Sequence, residues 1–187
     1  MENKTDIRPS LLATRTAIAA DQRPLLDNAI GAKILDWWNE KRLHTIGVYW
    51  PMRGEPDLHA VYATLHRQGV QLALPIVVAD NQPLKFVAWT PGEAMNKDRF
   101  GASVPVADNP ELEPQALIIP CLGFNHERFR LGYGGGFYDR TLVHAPRPYT
   151  VGVAYAVCET FFDVEPFDIS LDIIVTDQTV LSAHHHA

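Results

Sequence analysis

The chain has 187 residues, 47% hydrophobic and 20% charged, which suits one domain able to bury a substantial core. A formal net charge of −6 argues against a general nucleic-acid binder, which would show a basic patch, yet leaves room for a local anion site. No apolar stretch is long enough to cross a bilayer, Met1 to Asp6 lacks a signal peptide's apolar core, and the two cysteines lack metal-ligand spacing, so a cytoplasmic protein with buried thiols is expected.

Ile7, Leu11 and Ile18 recur at near-helical spacing and predict a helix over residues 5–20. Pro24 starts a second helix, with Leu26, Ile30, Ile34 and Trp37 along one face. His44 to Trp50 reads as a strand, followed by the turn Pro51-Met52-Arg53-Gly54. Leu58, Val61, Tyr62 and Leu65 make a third amphipathic helix that Gly69 ends, and Val70 to Leu74 is the next strand. Residues 75–115 are rich in proline and turn signals, with a short β segment at Leu84 to Trp89. Ala116 to Ile119 is a continuous apolar run, as in a strand buried on both faces. A helix to about His144 comes after a glycine-rich run, and Thr150 to Tyr155 and Ile173 to Val175 are further strands. Strands alternating with helices predict a single three-layer α/β domain over residues 1–183, a mostly parallel sheet with helices on both faces. His184, His185 and His186 are expected in a flexible tail, 184–187, rather than in a zinc site.

The most informative run is Arg130-Leu131-Gly132-Tyr133-Gly134-Gly135-Gly136-Phe137-Tyr138-Asp139-Arg140, with four glycines in five positions. Glycines permit positive φ and close approach of a ligand, and successive N–H groups can then form an anion nest at a helix start. Arg130 is suited to a fork on phosphate oxygens and Asp139 to a magnesium ion. The run is not a Walker A loop, lacking Gly-Lys-Ser/Thr, and Phe137 occupies the third glycine position of the dinucleotide fingerprint. A tight strand-to-helix turn without a ligand has the same composition. Cys121, close to this run, reads as a small packing residue rather than a nucleophile.

The stretch Ile118-Ile119-Pro120-Cys121-Leu122-Gly123-Phe124, followed by Arg130 to Asp139, resembles the signature of the 5-formyltetrahydrofolate cyclo-ligase family, also called 5,10-methenyltetrahydrofolate synthetase. Lys4, Ile7, Arg8 and Arg15 match its opening helix; Tyr49-Trp50-Pro51 and Glu55, Leu74-Pro75, Phe100-Gly101, Val151 to Tyr155 and Asp168 to Thr176 extend the match over most of the chain. The resemblance implies conversion of 5-formyltetrahydrofolate to 5,10-methenyltetrahydrofolate with ATP as cosubstrate and Mg²⁺. It implies ATP contacts from Lys4, Arg8, Arg130, Leu131, Gly132, Tyr133, Gly134, Gly135, Gly136, Phe137 and Tyr138. It implies catalytic roles for Arg130 and Asp139, Asp139 as the metal ligand, and Trp50 and Glu55 on the reduced folate, with Phe86 and Trp89 as weaker candidates for the same apolar cleft. A monomer acting on small molecules, without nucleic acid or membrane, is the expected form.

Three positions depart from the family pattern. Val104 stands where an acid often precedes proline, Leu58 where threonine is common, and Phe167 where histidine or tryptophan precedes Asp168. A nearby acid such as Glu93 or Asp98, or a bound water, is expected to supply the oxygen missing at Val104, so that activity is retained. Two other readings remain: a folate- or nucleotide-binding homologue without turnover, recognisable by folate binding without ATP consumption, and an ATP-dependent enzyme of the same fold with another substrate, needing no pterin contact at Glu55.

Overall fold

The computed structural model describes residues 3–183, so the expected tail 184–187 lies outside the described residues. Helix α1 (Lys4–Thr16) begins where the Asn3 side chain accepts the Thr5 N–H at 3.2 Å. The apolar spacing carries on to Ile18, yet the helix stops at Thr16. The reason is tertiary: the Arg23 guanidinium takes the carbonyls of Arg15 at 2.7 Å and Ile18 at 3.3 Å, satisfying the open end of the helix from outside. Helix α2 (Arg23–Lys41) has proline in its first turn, as predicted, and ends where Arg42 adopts a left-handed backbone that lets its N–H reach the Trp38 carbonyl at 2.7 Å.

The remaining elements are β1 (Thr45–Gly47), α3 (His59–Arg67), β2 (Gln71–Ile76), β3 (Lys85–Trp89), β4 (Met95–Lys97), β5 (Ser103–Pro105), β6 (Ala116–Pro120), β7 (Gly123–Phe124), β8 (Arg130–Leu131), α4 (Phe137–Leu142), β9 (Tyr149–Val153), β10 (Ile173–Val175) and β11 (Val180–Ser182). The main sheet has seven strands in the order β11-β10-β9-β6-β1-β2-β3. The run from β10 to β2 is parallel, and β3 and β11 close the two edges antiparallel. The predicted α/β architecture is therefore present. The two antiparallel edges are additions, as are the pairs β4–β5 and β7–β8, whose strands of two or three residues are too short to show a period of two.

Alternation along the strands divides the core. Leu72, Leu74, Ile118, Val151, Val153, Ile173 and Val175 pack with α1, α2 and α3; Ala73, Leu117, Ile119 and Ile174 pack on the opposite face with Phe86 and Leu142 of α4. Three helices thus cover one face, while the other has only the short α4 and irregular chain. Gly47 is needed in β1 because a Cβ there would lie 2.5 Å from Leu117 Cδ2 and 2.9 Å from Phe86 Cε1. No helix among the described residues is long and apolar enough to cross a membrane.

β1 is shorter than the predicted strand 44–50. Val48 still donates its N–H to Ala73 at 2.8 Å, but Tyr49 then turns away, fixed by its hydroxyl on the Pro56 carbonyl at 2.7 Å and by the Tyr62 hydroxyl on its own carbonyl at 2.8 Å. That departure from the sheet carries Trp50 and the following turn into the space above the strand ends.

Candidate active site

The parallel strands β1, β2 and β6 end on the same side of the sheet, and a cleft of about 860 Å³ opens there. Tyr49, Trp50, Met52, Arg53 and Glu55 after β1, Pro75 and Val77 at the end of β2, and Pro120 at the end of β6 line it, and the glycine-rich loop 130–140 crosses it. That loop does not follow β6 directly. The hairpin β7–β8 intervenes, and Arg130 is on its second strand.

One side of the cleft is cationic. At about 100° per residue, Lys4, Arg8 and Arg15 fall within about 40° of one another around α1, so one helix stripe brings all three toward the loop. Arg8 donates its Nε–H to the Gly132 carbonyl at 2.9 Å. Lys4 pairs with Glu165 at 2.9 Å and with Asp168. Burial pulls the Lys4 ammonium down, but the two carboxylates outweigh it and hold the group above its usual 10.5. Arg130 donates to Asp139 Oδ2 at 3.0 Å and lies 5.1 Å from the Tyr138 ring centroid, while its buried Nε has no partner among the described residues. A Cβ at Gly132 would come within 2.6 Å of Arg130 Nη1, so glycine there leaves room for the folded-back guanidinium.

Gly134 and Gly136 adopt positive φ (97° and 63°), a backbone that turns N–H groups toward one side. Helix α4 spans only Phe137–Leu142 and stops short of His144, so the field of its start is weak. A Cβ at Gly135 would sit 2.8 Å from the Phe137 ring. A valine at this position therefore displaces that ring rather than simply projecting toward a ligand.

The other side holds one carboxylate. Glu55 is 6% exposed; its Oε2 accepts the Met52 N–H at 3.0 Å and its Oε1 the Tyr133 hydroxyl at 2.8 Å. Burial pushes the Glu55 carboxyl up despite those two donors and the nearby charges of Arg15 and Arg53. Trp50 lines the cleft beside it, its ring held edge-on by His59 at 4.6 Å and Trp89 at 5.8 Å. Packing and exposure to the cleft are both features of Trp50.

A cationic glycine loop facing a buried carboxylate across one cleft is the arrangement the sequence motifs imply. The family model described as the 5-formyltetrahydrofolate cyclo-ligase family matches residues 1–177. The chain belongs to that family. It is 30% identical to the 5-formyltetrahydrofolate cyclo-ligase of Escherichia coli strain K12 over 176 residues, which cover 89% of this chain and 96% of that protein. It is 26% identical to the Mycoplasma pneumoniae enzyme of the same name over 179 residues, covering 94% and 99%. Among solved structures, the Aquifex aeolicus 5,10-methenyltetrahydrofolate synthetase superposes with a TM-score of 0.81 at 25% identity, covering 98% of this chain and 99% of the other. The Mycoplasma pneumoniae synthetase superposes with a TM-score of 0.80 at 25% identity, covering 94% and 99%. This cyclo-ligase family member is an enzyme.

All the expected site residues of this family member line the cleft: Lys4, Arg8, Trp50, Glu55 and the loop Arg130 to Asp139. Phe86 and Trp89 do not. Phe86 is buried on the opposite face of the sheet and Trp89 stands behind Trp50 as its support. Val104 is also elsewhere, lining a separate cavity of about 240 Å³ with Asp98. Nor do Glu93 and Asp98 supply an oxygen to the cleft. Glu93 accepts from the Thr90 N–H and the Asn109 amide, and Asp98 accepts the Phe100 and Ala102 N–H groups, so both are turn-forming carboxylates. Cys121 is buried and its thiol is pushed up to about 12, in keeping with a packing residue.

Arg53, Glu165 and the side-chain direction of Tyr133 were not marked by any local motif. Arg53 enters the site through a positive φ of 49°, and Glu165 through a long irregular segment. Among the described residues no cluster of three or more His, Cys, Asp or Glu could hold a metal ion. Asp139, one accessible carboxylate at the cleft, fits an ion that draws its other ligands from phosphate and water, as Mg²⁺ does.

Proposed function

We propose that this enzyme converts 5-formyltetrahydrofolate to 5,10-methenyltetrahydrofolate, using ATP and Mg²⁺ and releasing ADP and phosphate. The observation that carries the reading is the single cleft with a cationic glycine loop on one side and the buried Glu55 on the other. A phosphate donor and a nitrogen-rich ring, the two components of the reaction, each need one of these surfaces.

The formyl oxygen of the substrate is amide-like and leaves poorly. In the first step that oxygen attacks the γ-phosphorus and the bond to the β-bridging oxygen breaks, releasing ADP. In the second, the N10 lone pair attacks the formyl carbon, the carbon–oxygen bond breaks, and phosphate departs with the former formyl oxygen while N10 loses its proton. Arg130, Arg8 and Lys4 balance the charge on the phosphates, and the loop backbone holds them in line. Each cation exchanges an internal acceptor for phosphate oxygen: Asp139 for Arg130, the Gly132 carbonyl for Arg8, Asp168 and Glu165 for Lys4. Arg130 exchanging partners would free Asp139 to hold Mg²⁺, which would supply positive charge to offset that of the phosphates. Glu55 accepts two N–H donors of the pterin and Trp50 offers it a ring face.

Mixing the protein with 5-formyltetrahydrofolate, ATP and Mg²⁺ tests the reading. Methenyl absorbance is expected to rise with one ADP formed per product. Folate binding with intact ATP, or ATP consumed without methenyl product, would overturn it.

A further inference from the structure

The glycine loop and Glu55 are not independent. Arg15 is fully buried, an uncommon place for a charge, and sends its fork into the base of the cleft. Its Nε and Nη2 hold the Arg53 carbonyl at 3.1 and 3.0 Å, Nη2 also reaches the Tyr133 hydroxyl, and Nη1 is buried without a partner among the described residues. Tyr133 belongs to the glycine loop, yet its ring packs near two guanidiniums, with Arg53 4.9 Å and Arg15 5.7 Å from its centroid. Its hydroxyl donates to Glu55 at 2.8 Å. One arginine thus fixes both the turn that carries Arg53 and Glu55 and the tyrosine that orients the Glu55 carboxylate.

We propose that Arg15 and Tyr133 are positioning residues for the reduced folate, acting through Glu55, although Tyr133 stands in the phosphate loop and Arg15 on the ATP-facing helix. This rests on Glu55 binding the folate. An O–H donated to a carboxylate leaves one lone-pair direction at Oε1 for the substrate, and a fully buried fork cannot drift. The consequence is a division within the loop. Its glycines and Arg130 serve the phosphates, and the one large exposed side chain between the glycines serves the other substrate.

The test is steady-state kinetics with each substrate varied in turn, on the full chain. Tyr133→Phe keeps the ring beside the two arginines and removes only the hydroxyl. Its KM for 5-formyltetrahydrofolate is expected to rise about tenfold, the usual loss for a hydrogen bond to a charged group, with the KM for ATP within twofold of the parent. Arg15→Lys keeps the charge and loses the fork, so it should raise the folate KM in the same way. The double variant should lose less than the product of the two, because both changes act on one carboxylate. An ATP KM that rises as much as the folate KM, or a folate KM that stays put in Tyr133→Phe, overturns the proposal. Glu55→Gln separates the two levels. If it raises the folate KM while Tyr133→Phe does not, only the positioning role fails; if Glu55→Gln also has no effect, the folate role of Glu55 fails with it.

Discussion

On the glycine-loop side of the cleft Lys4, Arg8 and Arg130 each have an acceptor of their own, and the carboxylates Glu165 and Asp139 reach the surface; on the Glu55 side a single carboxylate is buried under fixed donors. Lys4 meets Glu165, which is largely exposed, and Arg130 meets Asp139, whose side chain is a quarter exposed. Glu55 instead accepts a backbone N–H and a tyrosine hydroxyl, and burial keeps its carboxyl above the usual range. Partners near water exchange readily, because solvent screens the broken pair. Buried partners do not, because an orphaned group keeps its full desolvation cost. In the proposed reaction the first surface would take the polyanion that enters and leaves in each turnover, and the second the neutral ring recognised by shape and two hydrogen bonds.

The largest break in that contrast is expected from Arg130→Met, which removes charge stabilisation from the phosphates and leaves Asp139 unpaired. The kcat/KM for ATP should fall by about 10³-fold, the low end for an arginine in phosphoryl transfer, with the folate KM little changed. A fall below tenfold would place the phosphates elsewhere. Glu55→Gln should come next, lowering kcat/KM for the folate by roughly 10²-fold through loss of a charged acceptor while the ATP KM stays within a few-fold.

The same Glu55 variant sharpens the comparison through stability. A carboxyl raised on folding binds its proton more tightly in the folded state. The stability this contributes is present below the ordinary value of 4.5 and is lost as pH rises through the folded value. The melting temperature of the parent relative to Glu55→Gln should therefore fall as pH is raised from about 4 toward neutrality. A difference independent of pH would show that Glu55 is not a strained carboxylate.

Asp139→Asn should be milder, raising the Mg²⁺ concentration for half-maximal turnover by about tenfold, since most ligands of that ion come from phosphate and water. Magnesium titration at saturating ATP reads this out directly. Val104→Glu is expected to do least. Its side chain lines the separate small cavity, so turnover should stay within about twofold of the parent. A large gain of activity in that variant would restore the acid at this position as a missing catalytic group.

Much of the fold was legible in the sequence where a single element explains its own pattern. The strand Ile173–Val175 and the strand from Ala116 show as apolar runs because both faces of the sheet are covered, and proline marks the start of α2 because its missing N–H is unused there. The glycine run, Arg130 and Asp139 stood out as unusual residues at short spacing, and the structure brings them to one cleft. Lengths were less legible. α1 ends early because Arg23, at the start of the next helix, takes the Arg15 and Ile18 carbonyls, and β1 ends early because Tyr49 and Tyr62 draw the chain off the sheet.

What the sequence by itself determined is the set of chemical groups and the order of elements that deliver them: an opening basic helix, a Trp50–Glu55 turn and a late glycine loop in an α/β chain. Only the tertiary structure decided how they face one another. The parallel order β6-β1-β2 places the turn after β1 beside the glycine loop that the β7–β8 hairpin brings over the end of β6, and the stripe of α1 sets Arg15 beneath both. The same geometry sends Val104, Glu93 and Asp98 away from the cleft and turns Tyr133 toward Glu55. The physical reason is that periodicity and propensity act over a few residues, whereas hydrogen bonds such as Tyr133 to Glu55 join groups 78 positions apart. Their partners are selected by the closure of the whole sheet, which no local pattern encodes.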